Sequence, residues 1–410
     1  MKKILIIGWV WPEPKSSAAG YNMQGLLSTL QEQSWEITFA SAAQVTDHTL
    51  DLASLGINTQ TIQVNCSQFD EFILELQPDI VIFDRFMMEE QYAWRVEKHL
   101  PNTLRILNSE DLHSLRDARQ QHFKHHKQID PDLNDPAFFD TDLAKREIAA
   151  IYRSDLTFII SENEIQFLTD KFNIQSDYLL HMPFMLEPLN SGLPSFNERI
   201  DFVTIGNFRH PPNWDAVLWL KQEIWPLIRK KLPKAQLHIY GAYTPPKATQ
   251  LNNPKEGFLV KGWAEDAYEV IKSAKVCLAP LRFGAGIKGK IADSMICGTP
   301  NVTTSIGAEG MSHQLPWSGY ISNEAATFAE HAVQLYSSEA DWLKKQGNGF
   351  DIVQQLFAPE PIKQRLITTI NQLSQNLIAH RQANFIGGML NHHLHKSTKY
   401  MSQWIEAKNK

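Results

Sequence analysis

The chain has 410 residues, 43% of them hydrophobic and 20% charged, an ordinary soluble composition long enough for two domains, which excludes disordered and fibrous classes. Its net charge of −6 leaves no bulk basic field to draw it onto nucleic acid phosphates, so no nucleic-acid partner is expected. Three scattered cysteines, Cys66, Cys277 and Cys297, form no CxxC pair and are odd in number, which argues against a disulfide framework or zinc ribbon and fits a reducing, cytoplasmic setting.

Residues 1–11 open like a signal peptide, with Lys2 and Lys3 ahead of an apolar run. Pro12-Glu13-Pro14-Lys15 breaks that run early, so a buried first strand is expected. No other stretch reaches the roughly 18 apolar residues needed to span a bilayer. After the strand at 4–7 come a Pro/Ser/Gly loop over 12–20 and a helix over 21–32, in which Leu26, Leu27 and Leu30 recur at helical spacing. Strands follow at 37–40, 78–84, 104–107, 156–160 and 178–182, with helices at 72–76, 143–152 and 163–172 between them. Continuous apolar strands alternating with helices predict a parallel sheet covered on both faces.

Pro183, Pro188, Gly192 and Pro194 then interrupt all periodicity, which places a linker over 186–198 after a first domain at 1–185. A second α/β unit at 199–370 carries strands at 202–205, 236–240, 258–261, 276–279 and 301–304 and helices at 214–230, 267–273 and 289–296. The predicted fold is two Rossmann-like doubly wound parallel-sheet domains facing across a cleft, with ligands at the carboxyl ends of the strands. Residues 371–410 form a helical tail expected to pack back toward the first domain. Its last thirty residues hold five Lys/Arg and one Glu beside Phe385, Ile386, Met389 and Leu390, a loosely amphipathic stretch read as a solvated helix end, with peripheral membrane contact at most.

The most informative stretch is 279–300. A strand ends at Pro280, the loop Gly284-Ala285-Gly286-Ile287 lets backbone approach a ligand, and a helix begins near Lys288, with Lys290 in its first turn and a Gly298-Thr299-Pro300 stop. Helix amides, helix dipole and two lysines make an anion site suited to a diphosphate. Here the sequence resembles the retaining glycosyltransferases of the GT-B fold, family-4 (group 1) type. Further matches are Ile205-Gly206-Asn207-Phe208 with Pro211-Pro212-Asn213-Trp214-Asp215, then Leu237-His238-Ile239-Tyr240-Gly241, Val260-Lys261-Gly262-Trp263 and Gly307-Ala308-Glu309-Gly310-Met311. The first domain adds Asp111-Leu112-His113-Ser114-Leu115-Arg116, Arg146-Glu147, Asp155 and Ser161-Glu162-Asn163-Glu164.

That resemblance implies a nucleoside-diphosphate sugar as co-substrate, a glycan or lipid-linked acceptor, retention at the anomeric carbon and a role in surface polysaccharide assembly. It places Gly206, Asn207, Arg209, Gly241, Gly262, Trp263, Gly284, Ala285, Gly286, Ile287 and Asp293 at the donor, Asp293 on the ribose hydroxyls, and His113 beside the sugar and phosphate. Lys288 and Lys290 hold the leaving diphosphate, which itself takes the acceptor proton. The first Glu of the family's Glu-x7-Glu motif falls on Ala285, and the usual Arg and Lys after the opening strand fall on Asn207 and Pro212, so the two lysines and Arg209 are expected to supply the charge.

The loop 15–22 lacks the GxGxxG of dehydrogenases, and its amides are expected to meet the donor through Gly20 and the acceptor through Ser17 and Ala19. Asp84 and Arg85 follow a strand end and are the other acceptor candidates, while Trp9, Trp11 and Trp263 adjoin cleft loops where an indole stacks on base or sugar. His122, His125 and His126, and the tail residues His392, His393 and His395, read as solvated charge, so no metal and no cofactor are expected. The alternatives are a catalytically silent sugar-nucleotide-binding or partner protein, motivated by Ala285 and Asn207, and a same-fold nucleotide-sugar epimerase.

Overall fold

The computed structural model describes residues 1–130, 132–189 and 192–409, with backbone alone for 393–396. Two positions of the expected linker, 190 and 191, and the His393 and His395 side chains lie outside the described residues.

Seven parallel strands form the first sheet: β1 Lys3–Gly8, β2 Glu36–Ser41, β3 Asn58–Thr61, β4 Ile80–Asp84, β5 Leu104–Asn108, β6 Leu156–Ile159 and β7 Leu179–His181, in the order β3-β2-β1-β4-β5-β6-β7. Six more form the second: β8 Ile200–Ile205, β9 Leu237–Tyr240, β10 Phe258–Gly262, β11 Ala274–Ala279, β12 Asn301–Thr303 and β13 Gly319–Ile321, in the order β10-β9-β8-β11-β12-β13. The expected pair of doubly wound α/β domains is what the chain forms.

Alternation along β1 shows why its apolar run is continuous. Ile4 and Ile6 enter one core cluster, Leu5 and Ile7 the cluster on the other face. A strand buried on both faces needs an apolar residue at every position, and each such side chain contributes about 1.5–3 kcal/mol. The same strand pairs with β2 and with β4, Ile4 lying beside Ile37 and Ile80. The strand order therefore reverses at β1, as it does at β8 between β9 and β11, and loops leaving the carboxyl ends diverge at those two points to open a crevice.

Several elements depart from the periodicity reading. Strand β3 is Asn-Thr-Gln-Thr, exposed throughout, and β13 has three residues, so neither carries an apolar signal. Helices Phe86–His99 and His113–His126 were not expected; the second is rich in polar residues and is anchored by tertiary contacts. The helix expected over 214–230 runs as Pro211–Trp219, a π turn Leu220–Ile224 and Trp225–Lys231. Pro226 has no N–H to donate and its ring crowds the preceding turn, which the wider π turn accommodates.

Helix Pro359–Ala383 places Ile362, Leu366 and Ile370, four residues apart on one face, into the same cluster as Ile4 and Ile6. The chain thus re-enters the first domain at Pro359, earlier than the boundary expected at 371. A final helix, Phe385–Asn409, packs on Phe86–His99 and on helix Asp142–Arg153. Among the described residues no helix is long and apolar enough to cross a membrane.

Candidate active site

The carboxyl ends of β1, β4 and β5 face those of β8 and β11 across a cleft of about 800 Å³. Helix Ala18–Gln31 follows β1, with Ser17 as its N-cap, the Ser17 hydroxyl accepting from the Gly20 amide at 3.1 Å. Helix Gly289–Ile296 follows β11, and its Lys288 cap has no side-chain cap bond. These two helix N-termini meet head to head: a Cβ on Gly289 would stand 2.7 Å from that of Ala18. Two positive dipole ends and their free amides therefore converge on one point of the cleft, where a negative ligand is stabilised by both.

Two ammonium groups reinforce that point. Lys290 donates to the Asn213 side-chain oxygen at 2.7 Å, beneath the loop that follows β8, and burial pushes its amine down to about 8. Lys288 donates to the Gly286 carbonyl, is 7% exposed, and lies among Glu309, Arg119, Glu164 and Asp111. Asn207 carries no charge, but Lys290 reaches the same loop from the first turn of helix Gly289–Ile296.

The first domain answers with a second charged group. Asp111 pairs with Arg116; although burial alone would raise it, Arg116, His113 and His210 hold its carboxyl well below the usual carboxylate range. The His113 Nε2 lies 3.8 Å from Asp111, and burial pushes that imidazole, like His210 of the second domain, down to about 4. Both rings are neutral at pH 7. Position of His113 comes from its backbone: the amides of His113 and Ser114 donate to the buried Glu147 carboxylate at 2.8 and 2.9 Å, which caps helix His113–His126.

Three further side chains join the walls. Glu164 accepts from the Leu112 amide at 3.1 Å and from the Gly286 amide at 2.8 Å, tying the loop before His113 to the glycine loop of the other domain. Arg119 forks onto Glu309 at 2.6 and 2.7 Å and donates to the Gly284 carbonyl at 2.9 Å. At Gly286, φ is +64° and an added Cβ would stand 2.8 Å from the Asp111 Cβ, so both conformation and close approach of the domains require glycine there.

Of the residues expected from sequence, the structure brings His113, Lys288, Lys290, Gly206, Asn207, Arg209, Gly284, Ala285, Gly286, Ile287, Asp293, Ser17, Ala19 and Arg85 together along this cleft. It does not bring Gly20, Gly241, Gly262, Trp263 or Asp84 to its wall. Gly20 and Gly241 are small because backbone crosses them, at Glu13 and at Gly206 respectively. The Trp263 ring stacks on His48 at 4.2 Å, Trp11 packs on Phe39, and Asp84 accepts from the Asn108 side chain and the Trp9 amide. Ala285 sits in the core cluster of the first domain. Burial pushes the Asp293 carboxyl up to about 7.

Sequence reasoning missed His210, whose signal was only its place ahead of Pro211-Pro212. It also missed Tyr21 and Tyr268, whose phenols lie near Asp293 on the cleft wall. Glu110, pushed up to about 8 by burial and by Asp84, is another. Glu89 and Glu90, beside the expected acceptor residues, are instead held by Arg153 and Arg146.

Residues 199–338 match the family model described as Glycosyl transferases group 1. The second domain is a group 1 glycosyltransferase domain, and the whole has the GT-B architecture of two facing Rossmann-like domains. A Klebsiella pneumoniae relative, described as an uncharacterized 44.6 kDa protein in the cps region, is 26% identical over 37% of this chain and 41% of its own length, so the chain matches less than half of that relative. S. aureus TarM, solved as a mutant with fondaparinux, alpha-GlcNAc-glycerol and UDP, aligns at 14% identity over 74% of this chain and 58% of its own, with a TM-score of 0.58. Anabaena HepE, solved with UDP and glucose, aligns at 10% identity over 90% of this chain and 100% of its own, with a TM-score of 0.64. At such identities the similarity to these two structures is one of fold.

Proposed function

We propose that this protein is a retaining glycosyltransferase that moves a sugar from a nucleoside-diphosphate donor to a glycan or lipid-linked acceptor, in surface polysaccharide assembly. The observation that carries the reading is the meeting of the Ala18 and Gly289 helix N-termini, reinforced by Lys288 and Lys290. A diphosphate that gains charge as the glycosidic bond breaks is stabilised most where fixed dipoles and ammonium groups already point. In this reading Asp293 takes the ribose hydroxyls, Arg85 and the loop around Ser17 take the acceptor, and the leaving phosphate accepts the acceptor proton. The reaction calls on no metal, since lysines and helix ends meet the charge. The cps-region relative supports the polysaccharide setting, and the UDP in the TarM and HepE structures makes uridine diphosphate the first nucleotide to test.

A thermal-shift screen against UDP, GDP, ADP, TDP and CMP, followed by mass spectrometry of the matching sugar nucleotides, tests this directly. Stabilisation by one nucleotide and its release from the sugar donor are the expected results. Ala285 favours a second reading, nucleotide binding without transfer, which the same assay recognises as a melting shift with no released nucleotide.

In the proposed mechanism His113 offers a neutral ring to sugar hydroxyls. Its folded pKa of about 4 lies below the ordinary value, so it stays neutral until pH falls toward 4. The expected pH profile has no acidic limb near 6.5 from this group, and His113→Ala lowers kcat/KM on the order of tenfold through one lost hydrogen bond. An acidic limb near 6.5 that His113→Ala removes would show a charged imidazole and overturn the assignment.

Arg85 has φ 73° and ψ 155°, a region that essentially only glycine adopts, at a strain of about 1–3 kcal/mol. Strain kept at a cleft residue indicates a side chain held for function. Arg85→Gly is expected to raise stability in urea denaturation by about 1 kcal/mol while raising KM for the acceptor. A variant less stable than the parent would remove the strain argument.

A further inference from the structure

The last helix, Phe385–Asn409, shows an apolar face that stays exposed among the described residues. Phe385, Ile386, Met389, Tyr400 and Trp404 are 80%, 44%, 46%, 62% and 59% exposed. At about 100° per residue they share an arc of roughly 100°, the stripe that in a soluble protein is ordinarily turned to the core. Here the opposite side is the one that packs. A Cβ on Gly387 would collide with the Tyr152 carbonyl, the Ser402 hydroxyl bonds Asn65 at 2.8 Å, and Glu406 accepts from the Ser67 hydroxyl at 2.7 Å.

The charge this helix itself carries is mostly basic. Lys399 lies 5.6 Å from the Tyr400 ring and Lys408 5.2 Å from the Trp404 ring, so both ammonium groups rim the apolar stripe. The one acidic residue of the helix, Glu406, is turned inward to Ser67. A local cationic rim therefore stands on a chain whose net charge is −6. A second copy docked by the same face would bring like lysines together, whereas an anionic surface would gain from all of them.

We infer that this face is a membrane-surface anchor that lays the first domain against an anionic lipid bilayer. Aromatic and aliphatic side chains enter the headgroup boundary while the lysines meet lipid phosphates, and no bilayer-spanning segment is needed. The helix is about 37 Å long at 1.5 Å per residue. It rises from Tyr152, at the end of helix Asp142–Arg153, to Asn65 and Ser67 in the loop after β3. That loop belongs to the carboxyl edge of the first sheet, the edge that borders the cleft, and Val64 beside it is 44% exposed. A bilayer against this face suits the lipid-linked acceptor of the preceding proposal, although binding to the bilayer does not depend on it.

Co-sedimentation of the purified full chain with vesicles tests the anchor, using mixed phosphatidylglycerol and phosphatidylcholine against phosphatidylcholine alone. The chain is expected to partition onto the anionic vesicles, less so at high salt, and Phe385→Ser with Met389→Ser and Trp404→Ser to lower that partition on the order of tenfold or more. Lys399→Glu with Lys408→Glu, which leaves the apolar stripe intact, is expected to abolish the preference for anionic lipid and keeps the test valid if the triple variant melts early. A chain that stays in the supernatant overturns the anchor, as does equal partition of parent and variants. A parent that elutes as a dimer and ignores vesicles, with a monomeric triple variant, overturns it in favour of a second copy. Nucleotide binding by the same variants reads the cleft alone, so failure of the anchor and failure of the donor site give different results.

Discussion

Replacing Lys290 by alanine weakens UDP binding by about 1.5–3 kcal/mol, the value of a hydrogen bond from a charged donor to phosphate. Isothermal titration then shows an affinity loss between roughly tenfold and a hundredfold. The expected loss is large because Lys290 is held by Asn213 at the point where the two helix N-termini converge, so its position needs little ordering. Burial lowers its amine to about 8. Binding by the parent therefore declines as pH rises through 8, because the neutral amine carries no charge to phosphate, and a bound diphosphate shifts that decline upward. Lys290→Ala removes this alkaline limb. Undiminished affinity in the variant would falsify the diphosphate assignment.

Arg119→Ala has the second large effect, on the joint between the domains. Arg119 is 3% exposed, forks onto Glu309 and holds the Gly284 carbonyl. Removing one partner of such a pair strands the other charge, at about 3–5 kcal/mol; Lys288 near Glu309 places the expected value at the lower end. Denaturant titration is expected to show that loss, and calorimetry a weaker nucleotide site, since the glycine loop loses its tether to helix His113–His126. Arg119→Lys keeps the charge without the fork and is expected to recover part of each. A variant with unchanged midpoint and unchanged nucleotide affinity would mean that the joint is held elsewhere, by Glu164 on Leu112 and Gly286.

Much of the proposed donor side was readable in residue order because its parts are contiguous. The glycine loop, Lys288, Lys290, Asp293 and the Gly298-Thr299-Pro300 stop lie in a single strand–loop–helix unit, and local backbone requirements force those residue types. The double restart of apolar strands likewise pointed to two parallel-sheet domains, since a strand covered on both faces admits few polar residues. Strand β3 escaped because an exposed edge places no demand on side chains, and helix His113–His126 because Glu147, distant in sequence, caps it.

What residue order determined here is therefore local: element type where burial imposes a period, and the glycine loop ahead of a helix on which the proposed anion site rests. Tertiary structure alone decided the rest. Asp111, His113 and His210 meet from two domains, and their protonation follows from burial that no local pattern encodes. Glycines at 20 and 241 looked like ligand contacts, yet backbone crossing them is what requires them. The last helix carries the same limit: its composition showed an amphipathic segment, but packing chose which face to bury, and it buried Gly387 and Ser402 while leaving Phe385 and Trp404 outside. The physical reason is common to all three cases. Side-chain chemistry is local, whereas desolvation and charge pairing depend on which distant surfaces the fold presses together.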